Sequence, residues 1–163
     1  MIEQLYTESI RKILQNKKIL ENALKIKIFI KDRILTMSGK PEDEFIAIQA
    51  LEAINLGFGI NEALLLKNEE FAFEKINIKG ISRRKDLSQV RGRVIGEGGK
   101  ALRVVEELSG CYIVVHGNTV GIIGDISDVK KAAFSIKKLI SGSKHANIYK
   151  YLEEQKALEK QSF

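Results

Sequence analysis

The sequence predicts an α+β fold made of two units, on three observations. Charged and apolar residues alternate over residues 25–30 and 71–78, which is the pattern of half-buried strands. Apolar residues recur at helical spacing over residues 42–56 and 128–140. A glycine-rich turn at residues 96–99 stands between two further helical segments. Each half of the chain therefore combines helices with a small sheet.

The first half predicts the order helix, strand, strand, helix. Apolar spacing indicates one helix over residues 1–24, with Thr7 as a possible cap at which the element could break. Strands over residues 25–30 and 34–38 follow, joined by a tight turn. The next helix begins after Pro41 and ends at Gly57, as the preferences of proline for helix starts and glycine for helix ends indicate. A short helix over residues 62–67 leads to the second half.

The second half repeats this order with additions. Its predicted elements are a strand over 71–78, helices over 87–94 and 101–109, strands over 111–115 and 117–124, and helices over 128–140 and 148–158. The last helix has an apolar stripe of Ile148, Tyr151, Leu152 and Leu158. That stripe either packs back on the chain or is offered to a partner.

Composition indicates a soluble, basic protein. The 163 residues are 44% hydrophobic and carry a net charge of +6. Such a charge favours nucleic acid or an acidic partner. No apolar run approaches the roughly 18 residues that a membrane span needs, and no signal peptide is visible, so we expect a cytoplasmic protein without a membrane partner.

No enzyme activity and no cofactor are predicted. One cysteine and two histidines exclude an internal disulfide and a cysteine-rich zinc site. We can place no nucleophile with a base and no paired acid and base. Most carboxylates stand beside Lys or Arg, which is typical of a solvated helix face.

The glycine-rich turn has the properties of a phosphate site. Glycines allow unusual dihedral angles and close approach, and amides at a helix start attract anions. A P-loop would require Gly at Val94 and a hydroxyl at Ala101, so that motif fails. Gly96, Gly98 and Ala101 match a bare dinucleotide pattern, but the preceding segment is cationic and the expected acidic residue is absent.

The remaining candidate is the G-x-x-G loop of KH modules, which clamps the backbone of about four nucleotides. Residues 93–100 (RVIGEGGK) resemble the signature of type I KH domains, and residues 105–115, 117–124 and 128–140 resemble its following helix, strands and closing helix. With residues 142–149, the chain resembles archaeal KH-domain proteins of small-subunit assembly, relatives of the eukaryotic partner-of-Nob and Dim-type proteins. The resemblance implies two type I KH-like units in tandem, each with a three-stranded antiparallel sheet covered by helices. The first is degenerate, because residues 13–19 contain no glycine.

The predicted RNA-binding residues surround the loop. They are Arg83, Arg84, Lys85, Arg91, Arg93, Ile95, Gly96, Glu97, Gly98, Gly99, Lys100 and Arg103. The amides of Gly98, Gly99 and Lys100 are expected to meet phosphates, and Ile95 borders the groove for unstacked bases. Glu97 departs from the basic residue that is commoner in this position and should weaken phosphate attraction.

The resemblance also implies a function. It predicts binding of single-stranded RNA near the 3′ end of small-subunit ribosomal RNA, beside the endonuclease that matures that end or an initiation factor. The expected divisions are residues 1–68, 69–145 and a helical tail over 146–163. The alternative is a protein-interaction scaffold whose terminal helix binds a ribosome-assembly or translation factor.

Overall fold

The structure is a computed structural model that describes residues 2–6, for the backbone alone, and residues 9–161. The chain divides into two compact units, one ending at Phe71 and the other beginning at Ala72. Each unit contains helices and a three-stranded sheet. The predicted α+β class is therefore confirmed. The divisions at 68/69 and 145/146 stay predictions.

The first unit builds its sheet from strands at its start and middle. Its elements are β1 (Ile2–Tyr6), α1 (Ile10–Gln15), α2 (Lys17–Leu24), β2 (Lys27–Lys31), β3 (Ile34–Ser38), α3 (Pro41–Leu56) and α4 (Ile60–Leu64). β3 lies in the middle and pairs antiparallel with both β1 and β2. One face of the sheet is buried, with Ile28, Leu35 and Met37 fully enclosed.

The predicted single helix over residues 1–24 is wrong. Ile2–Tyr6 is a strand, and Asn16 separates α1 from α2. Ile2 and Leu5 have helical spacing, but a five-residue segment this short cannot distinguish the two periodicities. Pairing of β1 with β3 along its whole length decides the conformation. The break at Asn16 falls inside the glycine-free segment where a G-x-x-G loop is missing.

The second unit follows the predicted order. Its elements are β4 (Phe71–Asn77), α5 (Ile78–Ile81), α6 (Leu87–Ile95), α7 (Lys100–Ser109), β5 (Tyr112–His116), β6 (Thr119–Asp125), α8 (Ile126–Ile140) and α9 (His145–Gln161). β6 lies between β4 and β5. Only the one-turn helix α5 was not predicted. It begins where the Asn77 side chain accepts a hydrogen bond from the Lys79 amide at 3.0 Å.

The terminal helix α9 packs on its own unit. Ile148 and Leu152 are buried in the same core as Val105 of α7 and Ile136 of α8. The ring of Tyr151 stacks at an angle on Phe134, and Lys131 forms an ion pair with Glu159. Most of the apolar stripe seen in the sequence is therefore used within the unit.

The same contacts recur in both units at a constant difference of 85 in residue number. Lys27 pairs with Ser38 in the first sheet, and Tyr112 pairs with Ile123 in the second. Carboxylates at equivalent positions accept hydrogen bonds from equivalent backbone amides. Glu21 accepts from the Ile28 amide, and Glu106 accepts from the Ile113 amide. The turns after the long helices match as well. The Phe58 amide donates to the Ala53 carbonyl, and the Ser143 amide donates to the Lys138 carbonyl. This register aligns residues 15–63 with residues 100–148.

Candidate nucleic-acid interface

The glycine-rich turn is a sharp corner between α6 and α7. Gly96 ends α6 with φ of +79° and ψ of 170°, a conformation that is essentially restricted to glycine. Gly98 and Gly99 follow in the left-handed region, with φ of +60° and +79°. Lys100 then begins α7. The corner places the amino end of a ten-residue helix next to exposed backbone.

The glycines have different reasons to lack a side chain. A Cβ on Gly96 would lie 2.6 Å from both the Cβ and the amide nitrogen of Ala101, so the corner closes only without one. A Cβ on Gly98 would meet nothing within 4 Å. Gly96 therefore serves the fold of the turn, whereas the space above Gly98 is open to a ligand.

Hydrogen bonds inside the turn engage part of the predicted phosphate site. The Gly99 amide donates to the Gly96 carbonyl at 3.2 Å, and the Lys100 amide donates to the backbone carbonyl of Glu97. Arg103 reaches back from α7 and donates to the Gly98 carbonyl at 3.0 Å. These bonds stabilise the conformation of the turn in the absence of a ligand. A phosphate would have to share two of the three predicted amides.

Three charged side chains are brought together at this turn. Glu97, Lys100 and Arg103 are exposed and follow one another at intervals of three residues along the chain. Two cations and one carboxylate leave a modest positive charge. The half-buried side chain of Ile95 ends α6 immediately before the turn, next to the fully buried Val94.

The other predicted arginines of α6 are held elsewhere. Arg91 donates to the side-chain carbonyl of Asn118, 2.5 Å away in the turn between β5 and β6. Arg93 donates to the backbone carbonyl of Ser143 at 2.5 Å and, more weakly, to that of Leu139 at 3.5 Å. Each guanidinium is partly buried and engaged with its own unit. Their direct contact with RNA stays a prediction.

Arg93 is fixed from its backbone as well. The Nε2–H of His145 donates to the Arg93 carbonyl at 2.7 Å. We refer to the bonds of Arg93 with Leu139, Ser143 and His145 as the Arg93 clasp. The clasp ties the carboxyl end of α6 to the junction between α8 and α9. Sequence reasoning missed His145 as a supporting residue, and the motif Gly142-Ser-Lys-His was the signal that could have found it.

The basic run lies at the opposite end of α6. Arg83, Arg84 and Lys85 are exposed and precede the helix, about 12 Å from the glycine turn by helical rise. Arg83 and Arg84 border a small cavity of about 300 Å³ near Ile140. The structure therefore does not bring this run to the turn, although both lie along one helix.

The start of α6 is fixed by a capping residue. The Asp86 carboxylate accepts the Ser88 amide at 3.1 Å and the Ser88 hydroxyl at 2.6 Å. The hydroxyl bond is the main reason that the pKa of Asp86 lies below its ordinary value. With the clasp at the other end, α6 is held at both termini.

Across 9–161 no group of three or more His, Cys, Asp or Glu side chains could hold a metal ion. Within that same part of the chain no helix is long and apolar enough to cross a membrane.

A three-stranded sheet beside a helix, a glycine corner and a second helix defines a KH-like fold. The model of one family, described as eukaryotic type KH-domain (KH-domain type I), matches residues 72–157. That range contains α6, the glycine turn and α7, and covers more than half of the 163 residues. The chain belongs to the type I KH-domain family.

Two curated relatives extend the similarity. The KH domain-containing protein MJ0443 of Methanocaldococcus jannaschii is 35% identical over 147 residues, which are 86% of this chain and 65% of that protein. The pre-rRNA-processing protein pno1 of Schizosaccharomyces pombe is 29% identical over 114 residues, or 68% of this chain and 47% of that protein. The chain thus spans about half to two thirds of the length of these relatives.

A solved structure matches both units. A chain of the crystal structure of the a/eIF2alpha-aDim2p-rRNA complex from Pyrococcus horikoshii OT3 is 33% identical. Its TM-score is 0.85, over 96% of this chain and 94% of that chain. The resemblance to archaeal KH proteins and to pno1 and Dim2 proteins of ribosome assembly is confirmed.

Proposed function

We propose that this protein binds single-stranded RNA at the turn of residues 96–99 and acts in pre-rRNA processing during small-subunit assembly. The observation that carries the proposal is the open backbone at Gly98, flanked by Lys100 and Arg103, in a chain of the type I KH family. The protein acts as a binder and not as an enzyme.

The phosphate site combines close approach with charge. Because no residue beyond its chain neighbours lies within 4 Å of a Cβ position on Gly98, an RNA backbone can lie against the main chain there. The amino end of α7 adds the positive end of the helix dipole. Lys100 and Arg103 then neutralise phosphates, and Glu97 limits the affinity. Neighbouring bases leave the stack and lie beside Ile95.

The relatives support RNA as the ligand of this chain. The pno1 protein of fission yeast is a pre-rRNA-processing protein, and the Pyrococcus structure contains rRNA. We infer that the RNA of this chain is small-subunit rRNA near its 3′ end. The a/eIF2alpha present in that complex supports an initiation factor as a protein partner, and the endonuclease of 3′-end maturation is the other partner we propose.

The first unit is proposed to be a degenerate KH-like unit. The constant difference of 85 between equivalent pairings and hydrogen bonds supports a repeat. At the equivalent junction of the first unit, Asn16 alone separates α1 from α2, and residues 13–19 contain no glycine. The first unit therefore lacks the corner that would clamp a nucleotide backbone. We propose domains at 1–68 and 69–145 with a tail at 146–163.

The competing function is a scaffold whose terminal helix alone binds a protein factor. In α9, Ile148 and Leu152 are 4% and 1% exposed, so the centre of its apolar stripe already packs on its own unit. This burial favours RNA binding as the primary function.

The test is RNA binding by the wild type and by Gly98→Asp/Gly99→Asp. Both positions have left-handed φ, which aspartate tolerates better than most residues, so the variant should stay folded. We expect its affinity for a single strand from the small-subunit rRNA 3′ end to fall about tenfold or more, equivalent to about 1.4 kcal/mol.

The control is Lys130→Asp, which changes the net charge equally on the exposed face of α8. It should bind almost as the wild type does. Equal affinity of wild type and a folded Gly98→Asp/Gly99→Asp variant would contradict the proposal.

A further inference from the structure

The first unit has an open groove that the proposed KH site does not use. It encloses about 900 Å³ between the end of α2, the outer ends of β2 and β3 and the start of α3. We refer to it as the lysine groove, after the four lysines in its lining: Lys18, Lys25, Lys27 and Lys40. All four are exposed, so their ammonium groups are available to a ligand.

The groove contains little negative charge to compensate. Its lining includes two carboxylates, Glu21 and Asp43. The Glu21 carboxylate accepts a hydrogen bond from the Ile28 amide at 2.9 Å and is directed into the sheet edge. The lysines therefore dominate the electrostatic potential of the groove.

The second unit provides an internal comparison for this charge. With the difference of 85, Lys25, Lys27 and Lys40 correspond to Gly110, Tyr112 and Asp125. Equivalent backbone supports this alignment, since Lys25 and Gly110 both end their helices in the left-handed region. Gly39 and Gly124 also occupy the same place, packed against Ile26 and Cys111 respectively.

The net charge of the lysine groove is opposite in sign to the net charge of the equivalent residues in the second unit. Where the first unit has four lysines and two carboxylates, the second has one arginine and four carboxylates: Arg103, Glu106, Glu107, Asp125 and Asp128. The pKa of Asp128 is raised above its ordinary value mainly by burial, with an opposing effect of Lys131 and a smaller raising effect of Asp125. A shared fold does not require lysines at these positions, so the fold alone does not account for them.

We propose that the lysine groove is a second RNA-binding site, which takes the phosphates of a single strand without reading its bases. The proposal goes beyond the KH turn but relies on the proposed function for the nature of the ligand. Ammonium groups on flexible stems act as point charges for phosphates. An open groove lined by such groups can bind successive phosphates of a polyanion. It does not need the close backbone approach that the glycine turn provides.

An acidic protein is the less suitable ligand. Protein interfaces are centred on buried aromatic, aliphatic or arginine anchors, and lysine is depleted there. The only apolar side chain in the lining is Ile26, which is 4% exposed and belongs to the core. The groove thus offers charge and no anchor.

The test substitutes residues from the second unit at the equivalent positions of the first: Lys25→Gly, Lys27→Tyr and Lys40→Asp. Glycine suits the φ of +58° at Lys25, aspartate suits the capping position at Lys40, and tyrosine is favoured in strands. The triple variant should therefore be at least as stable as the wild type, and thermal unfolding will verify this.

Binding of poly(U) is measured against salt concentration for the full chain. For single strands each lost phosphate contact lowers the slope of log K against log salt by about 0.7, so we expect the triple variant to lower it by about 2. The control, Lys130→Asp/Lys150→Gln/Lys156→Gln, makes the same change in net charge on exposed residues of the second unit and should leave the slope unchanged.

Two results would overturn the proposal. One is equal affinity and slope for the triple variant and the control. The other is unchanged binding of poly(U) with lost binding of poly(L-glutamate), which would assign the groove to acidic polypeptides. The same titration in the Gly98→Asp/Gly99→Asp background separates the two sites, because failure of the KH turn leaves the effect of the lysines intact.

Discussion

At the scale of residues, the glycines of the turn have two roles. Gly96 lets the backbone form the sharp corner, and Gly98 leaves the backbone exposed to a ligand. Gly96 has φ of +79° and ψ of 170° and no room for a Cβ beside Ala101. Gly98 has φ of +60° and free space around it. Substitutions at these two positions should therefore affect stability and RNA binding differently.

Gly96→Ala should destabilise the protein by about 3 kcal/mol or more. The cost combines backbone strain of about 1–3 kcal/mol with overpacking against Ala101. Gly98→Ala is the matched control and should cost only about 1–2 kcal/mol, because the left-handed region is strained but not obstructed. Chemical denaturation measures both. Equal losses of stability would show that the contact with Ala101 is relieved by movement of the backbone.

The sequence predicts the turn itself but not the separation of the surrounding cations. Arg91, Arg93, Lys100 and Arg103 look equivalent in the pattern, since all flank the glycines. Arg91 meets Asn118, which is 27 positions away, and Arg93 meets Ser143, which is 50 away. Which carbonyl a guanidinium contacts depends on tertiary packing, and no local spacing encodes it.

At the scale of elements, α6 determines where the turn lies. Asp86 caps its start, and the Arg93 clasp fixes its end to the junction of α8 and α9. The start of the terminal helix thus supports the proposed RNA site through the bond of His145 to the Arg93 carbonyl. Loss of the clasp should loosen the turn while leaving its charges in place.

Arg93→Ala should lower the free energy of unfolding by about 2 kcal/mol, as expected for hydrogen bonds from a charged donor. Its RNA affinity should fall without a change in salt slope, since the guanidinium faces the carbonyls of Leu139 and Ser143. Arg103→Ala is the comparison and should lower the slope by about 0.7. A lower slope with full stability for Arg93→Ala would instead establish a direct phosphate contact.

The boundaries of helices and strands were predictable where the sequence contains strong start and stop signals. Pro41 and Gly57 delimit α3, and the tight turn that precedes residue 34 marks the start of β3. β1 was missed because its conformation depends on pairing with β3, more than 27 residues away. The one-turn helix α5 was missed because a single cap at Asn77 is a weak local signal.

At the scale of the whole molecule, we propose that one fold is used twice with different chemistry. The order of elements predicted two related units, and the constant difference of 85 between their pairings supports a repeat. The reversal of charge at the lysine groove was not predictable, since it requires the register that only the structure supplies. We infer that RNA is bound by the glycine-rich turn in the second unit and by the lysine groove in the first.

The most direct test of the central claim is amide chemical-shift mapping of the full chain with single-stranded RNA from the small-subunit rRNA 3′ end. We predict that the largest changes fall on residues 96–103, with a second group around Lys18, Lys25 and Lys40. Gly98→Asp/Gly99→Asp should abolish the first group and preserve the second. Changes absent from residues 96–103 at saturating RNA would contradict the assignment of the glycine turn as the RNA site.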